Sequence, residues 1–207
     1  MSGVFITFEG IDGAGKSTQA RLIADRLIEA GRNVVLTREP GGAAGAEEIR
    51  DLLVRGDPGR WSAETEALLF TAARRDHVER TIRPALERGD VVICDRFVDS
   101  TRAYQGSGAL RKKVESLHAL MIGLDADLTL VFDLDPETGL ARAGRRATGG
   151  EDRFEQKGIG FLKDLRAAYL EIARAEPERC VVIDASRSSE DVHDAAWRVV
   201  SDRVAAI

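Results

Sequence analysis

Gly10-Ile11-Asp12-Gly13-Ala14-Gly15-Lys16-Ser17-Thr18 is the stretch whose residue types and spacing most plainly dictate a chemistry. It fits G-x-x-x-x-G-K-[ST] and lies between an apolar run and an amphipathic one, so a strand should lead into it and a helix leave it. Its glycines let the backbone wrap a polyphosphate with N–H groups pointing inward, and the helix offers its N-terminal donors and dipole to the same charge. Lys16 is placed to reach the β- and γ-phosphates and the Ser17 hydroxyl to ligate Mg²⁺, so a nucleoside triphosphate is the expected ligand. Asp95 closes the apolar run Val91-Val92-Ile93-Cys94, and its carboxylate should emerge at the C-terminal edge of a strand as a second metal ligand, directly or through water. Arg96 follows at once. An acid that positions a metal beside an Arg that grips a phosphate suits phosphoryl transfer between two anions. A GTPase would need an Asn-Lys-x-Asp type of base reader, and the one Asn of the chain, Asn33, is followed by Val34.

Those groups need a rigid frame, and the chain alternates short β-branched runs with longer amphipathic segments, the pattern of a parallel sheet covered by helices. Strands are expected at Val4 to Phe8, Asn33 to Thr37, Val91 to Cys94, Leu128 to Asp133 and Cys180 to Asp184. Helices are expected at Lys16 to Ala30, Ala46 to Val54, Ala63 to Arg88, Lys112 to Met121, Pro136 to Ala143, Ile159 to Ala175 and Ser189 to Ala206. Three segments break the rhythm and are candidate working loops: Arg38 to Gly45, Ser100 to Arg111 and Gly144 to Gln156. The expected fold is a three-layer α/β/α P-loop domain with a five-stranded parallel sheet.

The 207 residues suit one domain, and 43% hydrophobic with 31% charged residues describes an ordinary globular chain. A net charge of -5 argues against a surface that grips nucleic acid, without excluding anions in a local pocket. Cys94 and Cys180 sit in apolar runs and read as buried thiols. With no secretory signal pattern and no apolar run of membrane-spanning length, the cytoplasm is the expected compartment and no membrane partner is expected. His77, His118 and His193 fall in helical segments and read as core or surface residues.

Several further blocks, in order, resemble the bacterial thymidylate kinases, a P-loop nucleoside monophosphate kinase family. They are Phe8-Glu9-Gly10, Thr37-Arg38-Glu39-Pro40-Gly41-Gly42, Glu48-Ile49-Arg50, Leu69-Phe70-Thr71-Ala72-Ala73-Arg74, Asp95-Arg96-Phe97, Ser100-Thr101-Arg102-Ala103-Tyr104-Gln105-Gly106 and Asp152-Arg153-Phe154-Glu155. The resemblance implies transfer of the ATP γ-phosphoryl group to dTMP, giving dTDP, by a homodimer. It implies Phe70 as the plate for the thymine ring, Arg74 as donor to a base carbonyl, and Thr101 and Gln105, with Ser100 nearby, as readers of the remaining base edge. Tyr104 would crowd a ribose 2′-hydroxyl, and Arg38, Arg50 and Arg96 would hold the acceptor phosphate. Asp12 and Glu39 fall near a sugar hydroxyl, water or metal. An Arg-rich lid over about residues 142 to 156 would bring Arg142, Arg145, Arg146 and Arg153 to the donor nucleotide, with adenine between a lid Arg and the turn at Ala185 to Arg187. Gly13 stands where one subclass of the family carries a catalytic Arg, so the lid is the implied source of that charge; whether Arg142, Arg146 or Arg153 supplies it stays open.

An acceptor phosphate is largely ionised near neutral pH and needs no general base, so catalysis should rest on Lys16, Arg96 and the lid arginines with Mg²⁺ held through Ser17 and Asp95. Two alternatives remain at this point. One is a deoxynucleoside kinase on the same scaffold, with a hydroxyl acceptor and an acid near the first strand as base. The other is a nucleotide-binding module without turnover.

Overall fold

The computed structural model describes residues 3–57, 59–106, 108–143 and 158–205. Five strands, β1 (Val4–Glu9), β2 (Val34–Arg38), β3 (Val91–Asp95), β4 (Leu128–Asp133) and β5 (Cys180–Asp184), form one sheet in the order β2-β3-β1-β4-β5. Every pairing is parallel. Each strand lies within one residue of its expected position, because fully buried parallel strands read as continuous apolar runs.

Successive side chains of a strand face opposite sides, and β1 uses both. Val4, Ile6 and Phe8 pack with Ile23, Leu27, Leu162, Leu165, Val192 and Val200, whereas Phe5 packs with Val78, Ile82, Phe97 and Ile122 on the far side. The first face is covered by α1 (Lys16–Glu29), α8 (Gly158–Ala175) and α9 (Ser189–Ala205), and the second by the helical stretch between β2 and β3 together with Phe97, Val98, Ile122 and Ala126 that follow β3. That is the expected three-layer arrangement.

Between β2 and β3 run α2 (Ala44–Val54), α3 (Ala63–His77) and α4 (Arg83–Glu87). A π turn over Val78–Ile82 joins the last two, so the long helix expected over 63 to 88 forms with one widened turn. The widening comes where Pro84, which has no N–H, cannot continue the regular ladder.

The largest departure concerns the expected loop from Ser100 to Arg111. Residues Val98–Gln105 form α5 and Leu110–Met121 form α6, so the irregular part shrinks to the junction around Gly106 and Ala109. The reason is non-local: α5 starts at Phe97, whose side chain caps nothing, and its first amides are met by a carboxylate from β1. Arg38, expected in a loop, ends β2, and α2 begins two residues earlier than its pattern implied. Of the nine α-helices among the described residues, α7 (Pro136–Ala143) leads to the expected lid. Arg145, Arg146 and Arg153 lie outside the described residues. Among the described residues no helix is long and apolar enough to cross a membrane.

Candidate active site

The phosphate cradle sits between β1 and α1, as its pattern requires. Gly15 caps α1 at φ 91°, with no side-chain hydrogen bond to the first turn and no acidic residue in it. The amides that a Ser or Asp cap would have satisfied are therefore available to an anion. Gly13, at φ 81°, lies so close to α7 that a Cβ there would stand 2.2 Å from the carbonyl oxygen of Gly139. A side chain at position 13 is thus sterically excluded, which explains locally why no Arg can occupy it.

Lys16 is buried and its Nζ donates to the carbonyl of Ile11 at 2.9 Å. Burial, reinforced by the nearby Arg96 charge, lowers its pKa to about 8, with Asp12, Asp95 and Glu9 opposing. At the mouth of the cradle the Ser17 hydroxyl donates to Asp95 Oδ2, while the buried Asp95 Oδ1 has no hydrogen-bond partner. A hydroxyl beside an unmatched carboxylate oxygen is a donor set for a hard cation that keeps most of its waters, which is the habit of Mg²⁺. Among the described residues no group of three His, Cys, Asp or Glu could hold a metal of another kind.

Arg96 is the knot of the site. Among the described residues it is the one non-glycine with positive φ, 70°, a conformation that a side chain adopts only when its surroundings impose it. Its Nη2 donates to Asp12 Oδ1 at 2.6 Å, and Nη1 donates to the Gly10 carbonyl, the Ser100 hydroxyl and the Tyr169 hydroxyl at 3.0 to 3.2 Å. Burial works against a charge on Asp12, but Arg96 and Lys16 outweigh it and hold the carboxyl below its usual range. Beyond this knot opens a cleft of about 750 Å³ lined by Asp12, Glu39, Pro40, Arg50, Phe70, Arg96, Thr101, Tyr104 and Gln105, with Val54, Phe97 and Ser100. Aromatic rings, guanidinium groups and polar side chains around one cleft suit a nucleotide whose phosphate points at the donor loop.

A family profile described as thymidylate kinase matches residues 8–196. The chain is 62% identical to the thymidylate kinase of Ruegeria pomeroyi over 92% of its length and 91% of that protein's. It is 57% identical to that of Caulobacter vibrioides over 98% of both chains. The chain belongs to the thymidylate kinase family. A crystal structure of thymidylate kinase from Ehrlichia chaffeensis, 36% identical, superposes with a TM-score of 0.77 over 97% of this chain and 99% of that one.

Against the thymidylate kinase pattern, the cleft lining contains Glu39, Arg50, Phe70, Arg96, Ser100, Thr101, Tyr104 and Gln105 together. Arg38 and Arg74 are not among its lining residues. Arg38 is half exposed, paired with Glu47 at 3.1 Å, and borders a neighbouring cavity with Ser17 and Asp95. Arg74 is buried behind the wall, where its Nε donates to Glu39 Oε2 at 2.7 Å and its Nη2 to the Thr101 hydroxyl at 2.9 Å. Arg50 donates to the Pro40 carbonyl at 2.7 Å. Gln105 gives its amide N–H to Glu66 and leaves Oε1 without a partner. At the donor end Arg142 donates to the Ala185 carbonyl at 3.3 Å, which joins the start of the lid segment to the turn expected under adenine.

Three residues escaped the reading of the sequence. His77 bridges Thr37 at 2.8 Å and Glu39 at 3.0 Å from within the core, so it holds the 37–42 segment in place rather than merely filling space. Arg179, at the far end of the chain, makes a forked pair with the buried Asp99 of α5 at 2.6 and 2.9 Å. Glu9, at the end of β1, is fully buried and its pKa is raised to about 7, chiefly by burial and then by Asp99, against the pull of Arg96. Glu9 alone carried a signal, an acid ending an apolar strand; the partners of all three are distant in sequence. Both thiols, Cys94 and Cys180, are buried and free.

Proposed function

We propose that this chain phosphorylates dTMP to dTDP with ATP and Mg²⁺, its residues 1–207 forming a single domain that works in the cytoplasm as a homodimer. The observation that carries the reading is the Asp12–Arg96 pair, which ties the ATP cradle to the cleft at 2.6 Å. Donor and acceptor phosphates would then meet on either side of one guanidinium.

In this reading Gly10 to Thr18 bind the triphosphate, with Lys16 on its β- and γ-phosphates and Arg142 on the donor nucleotide. Ser17 and Asp95 would hold Mg²⁺, which when bound offsets phosphate charge. Phe70 stacks on thymine and Thr101 and Gln105 read its edge, with Arg74, the family's donor to the base carbonyl, bonded to Thr101 from behind the wall. Gln105 Oε1, unpartnered, is an acceptor suited to the imide N–H of thymine. Tyr104, packed under Arg96 with its ring 5.4 Å from the guanidinium, walls the sugar side, with Glu39 and Asp12 near its hydroxyl or an ordered water. Arg38, Arg50 and Arg96 take the acceptor phosphate, whose ionised oxygen attacks the γ-phosphorus without a base. Arg146 and Arg153 of the lid complete the charge on the migrating group and exclude water.

The homodimer reading draws support from an apolar groove between α3 and α6, about 780 Å³, lined by Ala67, Leu68, Leu110, Leu117 and Leu120. Leu120 is 80% exposed and Leu68 55%, and two copies meeting here would cover both.

Glu9 disfavours the deoxynucleoside kinase alternative. The acid near the first strand that such an enzyme would use as base is buried beneath the cleft and committed to α5. Chromatography of a mixture with ATP, Mg²⁺ and dTMP checks the reaction: dTDP and ADP are expected in equal amounts, and ADP without dTDP would contradict it.

A further inference from the structure

We infer that Glu9 is a positioning residue for the acceptor side of the reaction: from β1 it caps the helix that walls the cleft and fixes the backbone turn that presents Arg96. This rests on the dTMP kinase reading.

A helix leaves its first amides without internal partners, and a nearby side-chain oxygen usually satisfies one of them. In α5 the capping residue is Phe97, which has no side-chain acceptor. Glu9 Oε1 takes over, accepting from the Phe97 amide at 2.7 Å and from the Ser100 amide at 3.3 Å. Its second oxygen accepts from the Ser100 hydroxyl at 2.7 Å. That hydroxyl in turn accepts from Arg96 Nη1 at 3.1 Å and meets the Tyr169 hydroxyl at 2.9 Å. One carboxylate thus secures both ends of the Arg96 arrangement, the amide just after the positive-φ residue and the hydroxyl its guanidinium rests on.

The placement follows from the sheet. β1 and β3 are parallel neighbours with Phe8 opposite Asp95, and Arg96 donates its amide to the Phe8 carbonyl at 3.0 Å. The residue after Phe8 therefore lies beside the residues after Arg96. Glu9 is the buried carboxylate there, and four residues of the cleft wall, Ser100, Thr101, Tyr104 and Gln105, ride on the helix it caps. A cap at an N-terminus is also where negative charge is favoured by the helix dipole. Glu9 touches neither the cradle amides nor the cleft space; its action runs through α5 and Arg96.

The test is steady-state kinetics of Glu9→Gln and Glu9→Ala on the full chain. Gln keeps an oxygen for the two amides, whereas Ala keeps none. KM for dTMP should rise about tenfold or more in Glu9→Ala, with kcat also reduced and KM for ATP within about twofold of wild type, and Glu9→Gln should recover part of the loss. A residue that merely supports folding would lower the active fraction and leave both KM values alone. Wild-type KM for dTMP in both variants, or equal rises for ATP and dTMP, would overturn the inference; if Glu9→Ala does not fold, Glu9→Gln, matched in shape, decides by the same criterion. Thymidine is run as a second acceptor. If thymidine is turned over as well as dTMP and Glu9→Gln abolishes this, Glu9 is a base, and the dTMP kinase reading fails rather than the capping geometry.

Discussion

Arg96 joins the two halves of the site because its guanidinium is held on four sides, by Asp12, Gly10, Ser100 and Tyr169. A charge fixed in advance stabilises a transferring phosphoryl group without reorganising at the moment of reaction. Arg96→Ala should therefore abolish transfer while the affinity for ATP, measured by calorimetry, stays close to wild type; near-normal turnover would remove Arg96 from the site. Glu9 allows a second prediction at this scale. Its pKa in the fold, about 7, exceeds the usual 4.5, so the folded chain holds this proton more tightly than the unfolded chain does. The stability linked to Glu9 is full below the lower value and is lost as pH rises through the window to about 7. Thermal melts from about pH 5 to about pH 8 should show Glu9→Gln gaining on wild type as pH rises. A constant difference would contradict the raised pKa.

At the scale of elements, the cradle and α7 are packed backbone to backbone through Gly13 and Gly139. Gly13→Ala would force them apart in addition to straining a positive φ, and should lower ATP affinity by about tenfold or more. Gly31→Ala is the control: it shares φ 81°, yet its added Cβ meets nothing within 4 Å, so it should reduce stability modestly and leave ATP binding alone. Equal effects on ATP would show that the contact is immaterial. The sheet and the cradle were legible because buried parallel strands and phosphate loops are written in contiguous residues. Phe70, Thr101 and Gln105 were legible as a group only through family resemblance, since a lone aromatic on a helix could equally belong to the core. The helical state of residues 98–105 was not legible. Its cap, Glu9, lies 88 residues before Phe97, and its anchor, Arg179, lies 80 residues beyond Asp99.

For the whole molecule, a net charge of -5 coexists with two arginines, Arg50 and Arg96, in the lining of the cleft. The arginine bias has a chemical reason at Arg50 and Arg96, which line the cleft, and at Arg74, which braces Glu39 and Thr101 beside it. The exposed leucines of α3 and α6 make the assembly testable too. On the homodimer proposal the wild type should sediment as a dimer and Leu120→Lys as a monomer, and a variant that sediments like the wild type would remove this face from the interface. The most direct test of the central claim, that the cleft delivers a phosphorylated thymine nucleotide to a bound ATP, is coupled ADP release with dTMP, dUMP, UMP, dCMP and thymidine as alternative acceptors. The arrangement of Arg96, Tyr104 and Gln105 predicts that dTMP is turned over fastest and thymidine hardly at all. Thymidine turnover equal to that of dTMP, or no acceptor-dependent ADP release, would contradict it.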